Sequence, residues 1–138
     1  MKPINTLSTF NGMGCIWYAL KRANIPMGKC YSSEVDKYAN QANDAAFKDT
    51  IQVGDVTKWR EWDIDWSTID LFVGGSPCQG FSFAGKQLNF EDPRSKLFFE
   101  YVAIWNHIKK HNPDAKFLLE NVNMKKDHLR VISEYMGV

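Results

Sequence analysis

Hydrophobic and polar positions along the chain follow two periodicities, which together predict strands separated by helices. Apolar runs bounded by glycine, proline or asparagine predict five strands, at residues 4–10, 28–35, 50–53, 69–73 and 116–119. Apolar residues at helical spacing predict four helices, at residues 16–23, 38–47, 95–110 and 129–136. Two other segments complete the pattern: a tryptophan-rich stretch at 58–67, predicted as an irregular connection or short helix, and a long loop at 81–94.

This alternation predicts an α/β fold with a Rossmann-like parallel sheet and helices on both faces. The segment at 69–73 is apolar apart from Asp70, as expected for a strand that is buried on both faces. In such sheets, ligands bind where loops leave the carboxyl ends of the strands. The residues of chemical interest all follow predicted strands; they are residues 10–15, Glu34, Asp55, Cys78 and Glu120.

Composition narrows the kinds of protein that are compatible with this pattern. With 138 residues, 17 lysines and arginines, and 16 aspartates and glutamates, the chain predicts one domain with a formal net charge of +1. A charge so close to neutral argues against a strongly cationic nucleic-acid surface. No apolar run approaches the roughly 18 residues that span a bilayer, and the first residues lack a secretory signal. We therefore expect a cytoplasmic protein with no membrane partner.

The three cysteines include no Cys-x-x-Cys pair and accompany no cluster of histidines, which predicts neither a disulfide framework nor a metal site. Cys78 follows a predicted strand and is framed by Pro77 and Gly80, a setting that suits a nucleophile reacting as its thiolate. The alternative role of a cysteine is to fill a gap in a core, which suits Cys30, and we interpret Cys15, directly after the turn, as a structural residue.

The segment after the first predicted strand contains Gly12 and Gly14, which allow backbone to approach a ligand closely. Glu34 lies 20 residues after Gly14, the spacing at which a nucleoside-binding α/β domain places an acid on a ribose. The third glycine of the dinucleotide motif is absent, which favours a phosphate-free adenosyl ligand over a pyrophosphate. A plain tight turn is the alternative for the glycines, as it is for Gly54 and Asp55.

Glu120 follows the apolar strand at 116–119, where a carboxyl group can exchange a proton with a substrate. A surface acid at a strand end is the alternative for this residue. The cluster of Trp59, Trp62 and Trp66 suggests either base stacking or packing beneath the connection that carries it, and we favour packing.

Five motifs in this order resemble the N-terminal part of the cytosine-5 DNA methyltransferases: Phe10-Asn-Gly-Met-Gly14, Glu34, Gly54-Asp-Val56, Gly75-Ser-Pro-Cys-Gln-Gly-Phe-Ser82 and Glu120-Asn-Val122. Residues 85–99 also resemble the family's loop beyond the nucleophile and the helix that follows it. One departure is Cys15, which stands where the family usually has the second glycine of a Gly-x-Gly-Gly turn. The resemblance covers nearly the whole chain.

The resemblance implies a class I methyltransferase fold with S-adenosylmethionine along the strand ends. Phe10 would lie against the adenine, Glu34 would bind the ribose hydroxyls, and Asp55 would accept from the adenine amino group. Val56 would pack on the adenine ring and Leu97 would help to close the pocket. The cofactor-binding set that the resemblance implies is Phe10, Asn11, Gly12, Gly14, Glu34, Val35, Asp55, Val56, Pro77 and Leu97.

The resemblance also implies the reaction, which is methylation of C5 of cytosine in DNA, as in restriction-modification systems. Cys78 would add to C6 of a base flipped out of the duplex, and Glu120 would engage N3 of that base. The loop at 81–94 would close over the base. Its candidate contacts to DNA are Ser82, Lys86, Gln87 and Arg94.

Complete members of the family continue beyond Glu-Asn-Val with further strands and a target-recognition region. Residues 1–138 are therefore expected to be a single incomplete catalytic domain, truncated after about the fifth strand. We expect activity to need a completing C-terminal portion or subunit, in a protein of bacterial or phage origin. The expected protein partner is a complementing C-terminal subunit or a second copy in a homo-oligomer. Two alternatives stay open at this point: a catalytically inactive methyltransferase-like partner for regulation or dimerisation, and a small adenosine-cofactor oxidoreductase.

Overall fold

The described part of the chain forms a parallel sheet with helices, as predicted. We describe it from a computed structural model that covers residues 2–75, 93–120, 130 and 133–137. The sheet has five strands in the order β3-β2-β1-β4-β5. Their bounds are β1 (Ile4–Thr9), β2 (Met27–Ser33), β3 (Ile51–Gln52), β4 (Leu71–Gly74) and β5 (Lys116–Leu119). All neighbouring strands are paired in parallel, so the five carboxyl ends lie along one edge of the sheet.

Helices connect the strands close to the predicted positions. They are α1 (Cys15–Arg22), α2 (Lys37–Ala46) and α3 (Pro93–His111), with residues 133–136 also helical. The tryptophan-rich stretch forms two short 3₁₀ helices, at Val56–Glu61 and Trp66–Thr68. The predicted loop at 81–94 lies outside the described residues except at its end, where α3 has already begun.

Strand order fixes the face on which each helix packs. The connections through α1 and α2 step in one direction from β1, whereas the connection through α3 steps in the other direction from β4. Because parallel crossovers are right-handed, α1 and α2 cover one face of the sheet and α3 covers the opposite face. The prediction of helices on both faces is confirmed.

The main core lies between the sheet and α3. Phe72 of β4 is fully buried, and its ring stacks on that of Tyr101 with 4.2 Å between the centroids. Trp105 packs on Phe117 of β5 with 4.9 Å between the centroids. Leu7 of β1 is fully buried in the same cluster. These contacts hold β1, β4 and β5 to one helix and thereby set the edge from which the loops leave.

The tryptophan cluster is part of this core. Trp59 and Trp62 are buried, and Trp66 lies 5.8 Å from Trp59 between ring centroids. The indole Nε1 of Trp59 donates to Oε2 of Glu100 on α3 at 2.7 Å, and the Arg60 guanidinium stacks over the Trp59 ring. The packing role predicted for these tryptophans is confirmed.

Candidate functional site

The loop after β1 (residues 10–14, the β1 loop) adopts left-handed backbone at three of its five residues. The φ angles are 53° at Phe10, 59° at Gly12 and 86° at Gly14. A side chain added at Gly12 would meet no atom within 4 Å, so the backbone there borders open space. Gly14 ends the loop as the residue that precedes α1. The glycines therefore allow a turn in which the backbone is exposed at the carboxyl edge of the sheet.

Glu34 ties the β1 loop to the end of β2. The backbone N–H of Gly12 donates to Oε1 of Glu34 at 2.8 Å, while the N–H groups of Val35 and Asp36 donate to Oε2 at 2.9 and 3.0 Å. A carboxylate has about four acceptor positions, so Glu34 retains capacity for one hydroxyl donor of a ligand. Val35 itself is 73% exposed beside this carboxylate.

Asp55 lies at the end of β3, the next loop along the same edge. The turn before it is fixed by the Ser33 hydroxyl, which donates to the carbonyl oxygen of Gly54 at 2.6 Å. Oδ1 of Asp55 accepts from both the backbone N–H and the hydroxyl of Thr57 at 2.8 Å. The backbone hydrogen bond, then the hydroxyl, lowers the pKa of the Asp55 carboxyl below its usual value. Asp55 is thus an anionic acceptor at the edge.

Val56 and Leu97 both belong to the packing between the sheet and α3. Val56 is 6% exposed within the α3 core, and Leu97 packs on that core while partly exposed. Phe10 also packs partly on this core. These three apolar residues therefore all pack in or against the core on the α3 side of the sheet.

Glu120 meets the end of β4 on the other side of β1. Its backbone N–H donates to the carbonyl oxygen of Gly74 at 2.8 Å. A Cβ built at Gly75 would lie 3.8 Å from Oε2 of Glu120, so this carboxylate flanks the backbone just before the Cys78 motif. Glu120 is exposed to solvent in this arrangement. The predicted residues Pro77, Cys78, Ser82, Lys86 and Gln87, and the side chain of Arg94, lie outside what the structure describes.

A buried polar cluster under the β1 loop has no counterpart in the sequence prediction. Asn43 of α2 is fully buried, and its Oδ1 accepts from Nε1 of Trp17 at 2.9 Å and from Nδ2 of Asn11 at 3.0 Å. Oδ1 of Asn11 in turn accepts from the Ser8 hydroxyl at 2.8 Å. A single asparagine in a mostly polar helix carries no sequence signal that distinguishes it from a surface residue.

The two described cysteines differ in exposure. Cys15, interpreted as structural, is exposed at the first residue of α1. Cys30 is half-buried, and burial followed by the nearby Asp49 carboxylate raises the pKa of its thiol. Across the described ranges, no group of His, Cys, Asp and Glu side chains is arranged to hold a metal ion. Nor does any helix in these ranges have the length and apolarity to cross a membrane.

These features define a class: a parallel α/β domain whose carboxyl edge carries a glycine turn and three carboxylates, from the loops after β2, β3 and β5, as in nucleoside-binding folds. The sequence pattern of the C-5 cytosine-specific DNA methylases matches residues 4–136, and the chain belongs to this family. The family uses S-adenosylmethionine as its methyl donor.

Relatives from bacteria and phage share much of the chain. It is 50% identical over 98 residues to the type II methyltransferase M1.ScrFI of Lactococcus lactis subsp. cremoris, which covers 71% of this chain and 23% of that protein. It is 38% identical over 123 residues to M.HpaII of Haemophilus parainfluenzae, covering 88% and 32%. It is 35% identical over 130 residues to the orphan methyltransferase M.Rho11sI of Bacillus phage rho11s, covering 93% and 25%. The chain thus spans a third or less of each of these relatives.

Solved structures support the fold. The chain is similar to a DNMT2 of Spodoptera frugiperda, with a TM-score of 0.66 and 19% identity, over 97% of this chain and 40% of that one. It is also similar to the S. pombe Dnmt2 methyltransferase, with a TM-score of 0.62 and 21% identity, over 96% and 40%. Both matches confirm the methyltransferase fold predicted from the sequence, in shortened form.

Proposed function

We propose that this chain is the cofactor-binding and nucleophile-bearing part of a DNA (cytosine-5-)-methyltransferase. One observation supports this most directly: Glu34 is hydrogen-bonded to Gly12 at the same edge where Glu120 flanks the backbone leading to Cys78. A cofactor acid and a catalytic acid thereby share one edge, on either side of β1. We further propose that residues 1–138 form a single incomplete domain and that the reaction takes place in the bacterial cytoplasm. The bacterial and phage origin of the relatives supports a bacterial or phage source.

The described residues fit an adenosyl ligand. The open backbone at Gly12 leaves room for the methionine part, and the one acceptor position that Glu34 keeps beyond its three backbone donors suits a ribose hydroxyl. The anionic carboxylate of Asp55 suits the adenine amino group, with Phe10 and Val56 as apolar neighbours for the ring. We assign the cofactor site to these residues together with Asn11, Gly14, Val35, Pro77 and Leu97.

The proposed chemistry begins with Cys78. Its thiolate adds to C6 of cytosine, while the Glu120 carboxyl gives a proton to N3 and so keeps the ring electron-rich at C5. S-adenosylmethionine supplies an electrophilic sulfonium methyl group to C5. The transfer leaves the cofactor as the neutral thioether S-adenosylhomocysteine. A water molecule takes the C5 proton, departure of the Cys78 thiolate restores the aromatic ring, and N3 returns its proton to Glu120.

The target carbon lies inside the stacked duplex, so the base must be flipped out before Cys78 can reach it. We assign closure over the flipped base to residues 81–94, with Ser82, Lys86, Gln87 and Arg94 as contacts to phosphate or base. The substrate of this part of the chain is therefore cytosine in duplex DNA.

Completion by a C-terminal portion or subunit fits the exposed side of β5. In the described sheet β5 is an edge strand with β4 as its single neighbour, and Leu118 on it is 53% exposed. An open strand edge with an apolar side chain is a surface on which further strands can pair. We propose that a C-terminal portion adds there.

Covalent trapping tests the proposal. The chain is incubated with S-adenosylmethionine and duplex DNA containing 5-fluorocytosine, alone and with the C-terminal part of the Lactococcus lactis relative. Fluorine at C5 cannot leave as a proton does, so the sulfur–carbon bond should persist and give a DNA adduct on a denaturing gel. We expect the adduct with the added part, lost in Cys78→Ser and retained in the matched Cys30→Ser.

Absence of an adduct in every pairing would contradict the proposal and favour an inactive methyltransferase-like partner. An adduct that survives Cys78→Ser would contradict the assignment of the nucleophile.

A further inference from the structure

We propose that Asn43 is a positioning residue for the β1 loop, which it holds in its ligand-ready shape from beneath. Asn43 lies on α2, 29 residues after Gly14, and touches the loop at both ends. The inference rests on the proposed function in one respect, since it assigns the loop to the adenosyl ligand.

One oxygen atom of Asn43 binds two elements. Its Oδ1 accepts from the indole of Trp17 on α1 and from the Asn11 amide in the β1 loop, at 2.9 and 3.0 Å. Its own amide group donates to Oδ1 of Asp44 at 3.0 Å, and that oxygen also accepts from Gln52. The side chain is fully buried, so neither donor has water as a substitute acceptor if this oxygen is lost.

The same oxygen determines why Gly14 has no side chain. A Cβ at Gly14 would collide with Oδ1 of Asn43 and would lie 2.7 Å from Cδ1 of Trp17. Asn43 thus contacts the loop at Asn11 and again at Gly14, the residues on either side of the open backbone at Gly12. Gly12 is the residue whose N–H reaches Glu34.

Asn11 links Asn43 to the ends of β1 and β2 through its own hydrogen bonds. Its Oδ1 accepts from Ser8 of β1, and its backbone N–H donates to the Ser33 carbonyl at 3.3 Å. Loss of the Asn43 oxygen would therefore free Asn11 to turn and would loosen the Gly12 contact with Glu34. We infer that Asn43 raises cofactor affinity without touching the cofactor.

The test compares three variants of the full chain by calorimetry with S-adenosylmethionine. Asn43→Leu keeps the side-chain size but removes the acceptor of two buried donors, and we expect cofactor affinity to fall on the order of tenfold. The matched control, Gln41→Leu, changes an exposed residue of the same helix and should leave affinity within twofold.

A charge-conserving exchange supplies the rescue. The double variant Asn43→Asp/Asp44→Asn restores an acceptor for Trp17 and Asn11 and returns a donor from position 44. We expect it to recover most of the affinity that Asn43→Leu loses. If Asn43→Leu loses only thermal stability and binds the cofactor as the parent does, or if the double variant matches Asn43→Leu, the proposal is wrong.

Spectra of the ligand-free chain separate this proposal from the proposed function. In ¹H–¹⁵N spectra, Asn43→Leu should shift the indole signal of Trp17 and the amide signals of Gly12 and Gly14, whereas Gln41→Leu should not. If these shifts occur but the parent chain binds no cofactor, the proposed function is wrong and the positioning role of Asn43 stands. Unshifted Gly12 and Gly14 signals would overturn the positioning role in either case.

Discussion

At the scale of single residues, Glu34 is central to the candidate site. Its carboxylate accepts three backbone hydrogen bonds and so holds the β1 loop and the end of β2 together. Replacing Glu34 by alanine removes the acceptor for three backbone donors, including the one from Gly12. We predict that Glu34→Ala weakens S-adenosylmethionine binding by about tenfold or more in calorimetry.

Two companion variants make that measurement specific. Glu34→Gln keeps one acceptor oxygen but presents an amide to the other donors, so its affinity should fall between those of the parent and Glu34→Ala. Glu61→Ala removes an exposed carboxylate elsewhere and should bind as the parent does. Equal affinity in the parent and Glu34→Ala would remove Glu34 from the proposed cofactor site.

We predict that alanine substitutions at the two glycines of the β1 loop lower the free energy of unfolding by different amounts. Both have positive φ, which costs an alanine about 1 kcal/mol. At Gly12 a methyl group meets open space, so Gly12→Ala should destabilise the chain by about that amount. At Gly14 the methyl group also collides with Asn43 and Trp17, and Gly14→Ala should cost roughly 3 kcal/mol in all. Urea unfolding measures both, and similar costs would contradict this account.

Residue-level prediction from the sequence succeeded where spacing dictates position. Gly12, Glu34, Asp55 and Glu120 each follow a strand at the carboxyl edge, because a parallel sheet leaves no other place for them. The role of Asn43 was not predicted, because its burial depends on the contact between α1 and α2, which the local sequence pattern does not indicate.

At the scale of elements, β4 and β5 show how a strand divides its side chains between faces. Phe72 is fully buried against α3, whereas Leu118 on the next strand is 53% exposed on the other face. We predict that Phe72→Ala costs about 3–5 kcal/mol of unfolding free energy. Leu118→Ala removes apolar atoms from an exposed side chain and should cost less than about 1 kcal/mol.

Chemical denaturation at one pH checks this pair. A large cost for Leu118→Ala would mean that the open face of β5 is covered by something in the chain as prepared. A small cost for Phe72→Ala would contradict the central role of the stacked pair formed with Tyr101.

Element prediction was accurate for the order of strands and helices and weaker for their lengths. The third strand, predicted at 50–53, is reduced to Ile51–Gln52 because Gly54 turns the chain with φ at 93°. The tryptophan-rich stretch gave no clear period, since its 3₁₀ helices are only six and three residues long. Tertiary packing, which the local sequence does not show, determined the length of β3 and the form of the tryptophan-rich stretch.

At the scale of the whole molecule, charge sets what the chain can do with DNA on its own. Its 17 basic and 16 acidic residues leave a net charge of +1. We predict weak binding to duplex DNA that falls by about tenfold or less between 50 and 200 mM salt, as expected when few phosphates are neutralised. Fluorescence anisotropy at the two salt concentrations measures it. A fall of a thousandfold would reveal a concentrated basic surface.

Strand order also has a consequence for the time course of folding. Asn5 bonds to Lys29, 24 residues away, through its Oδ1, and to Asp70, 65 residues away, through its backbone N–H. Closing the longer loop costs about 0.9 kcal/mol more in chain entropy, so β1 should pair with β2 before it pairs with β4. We expect the contact of Gly12 with Glu34 to form in this early phase, while a nascent chain acquires Glu120 at the edge only after β4 has inserted beside β1.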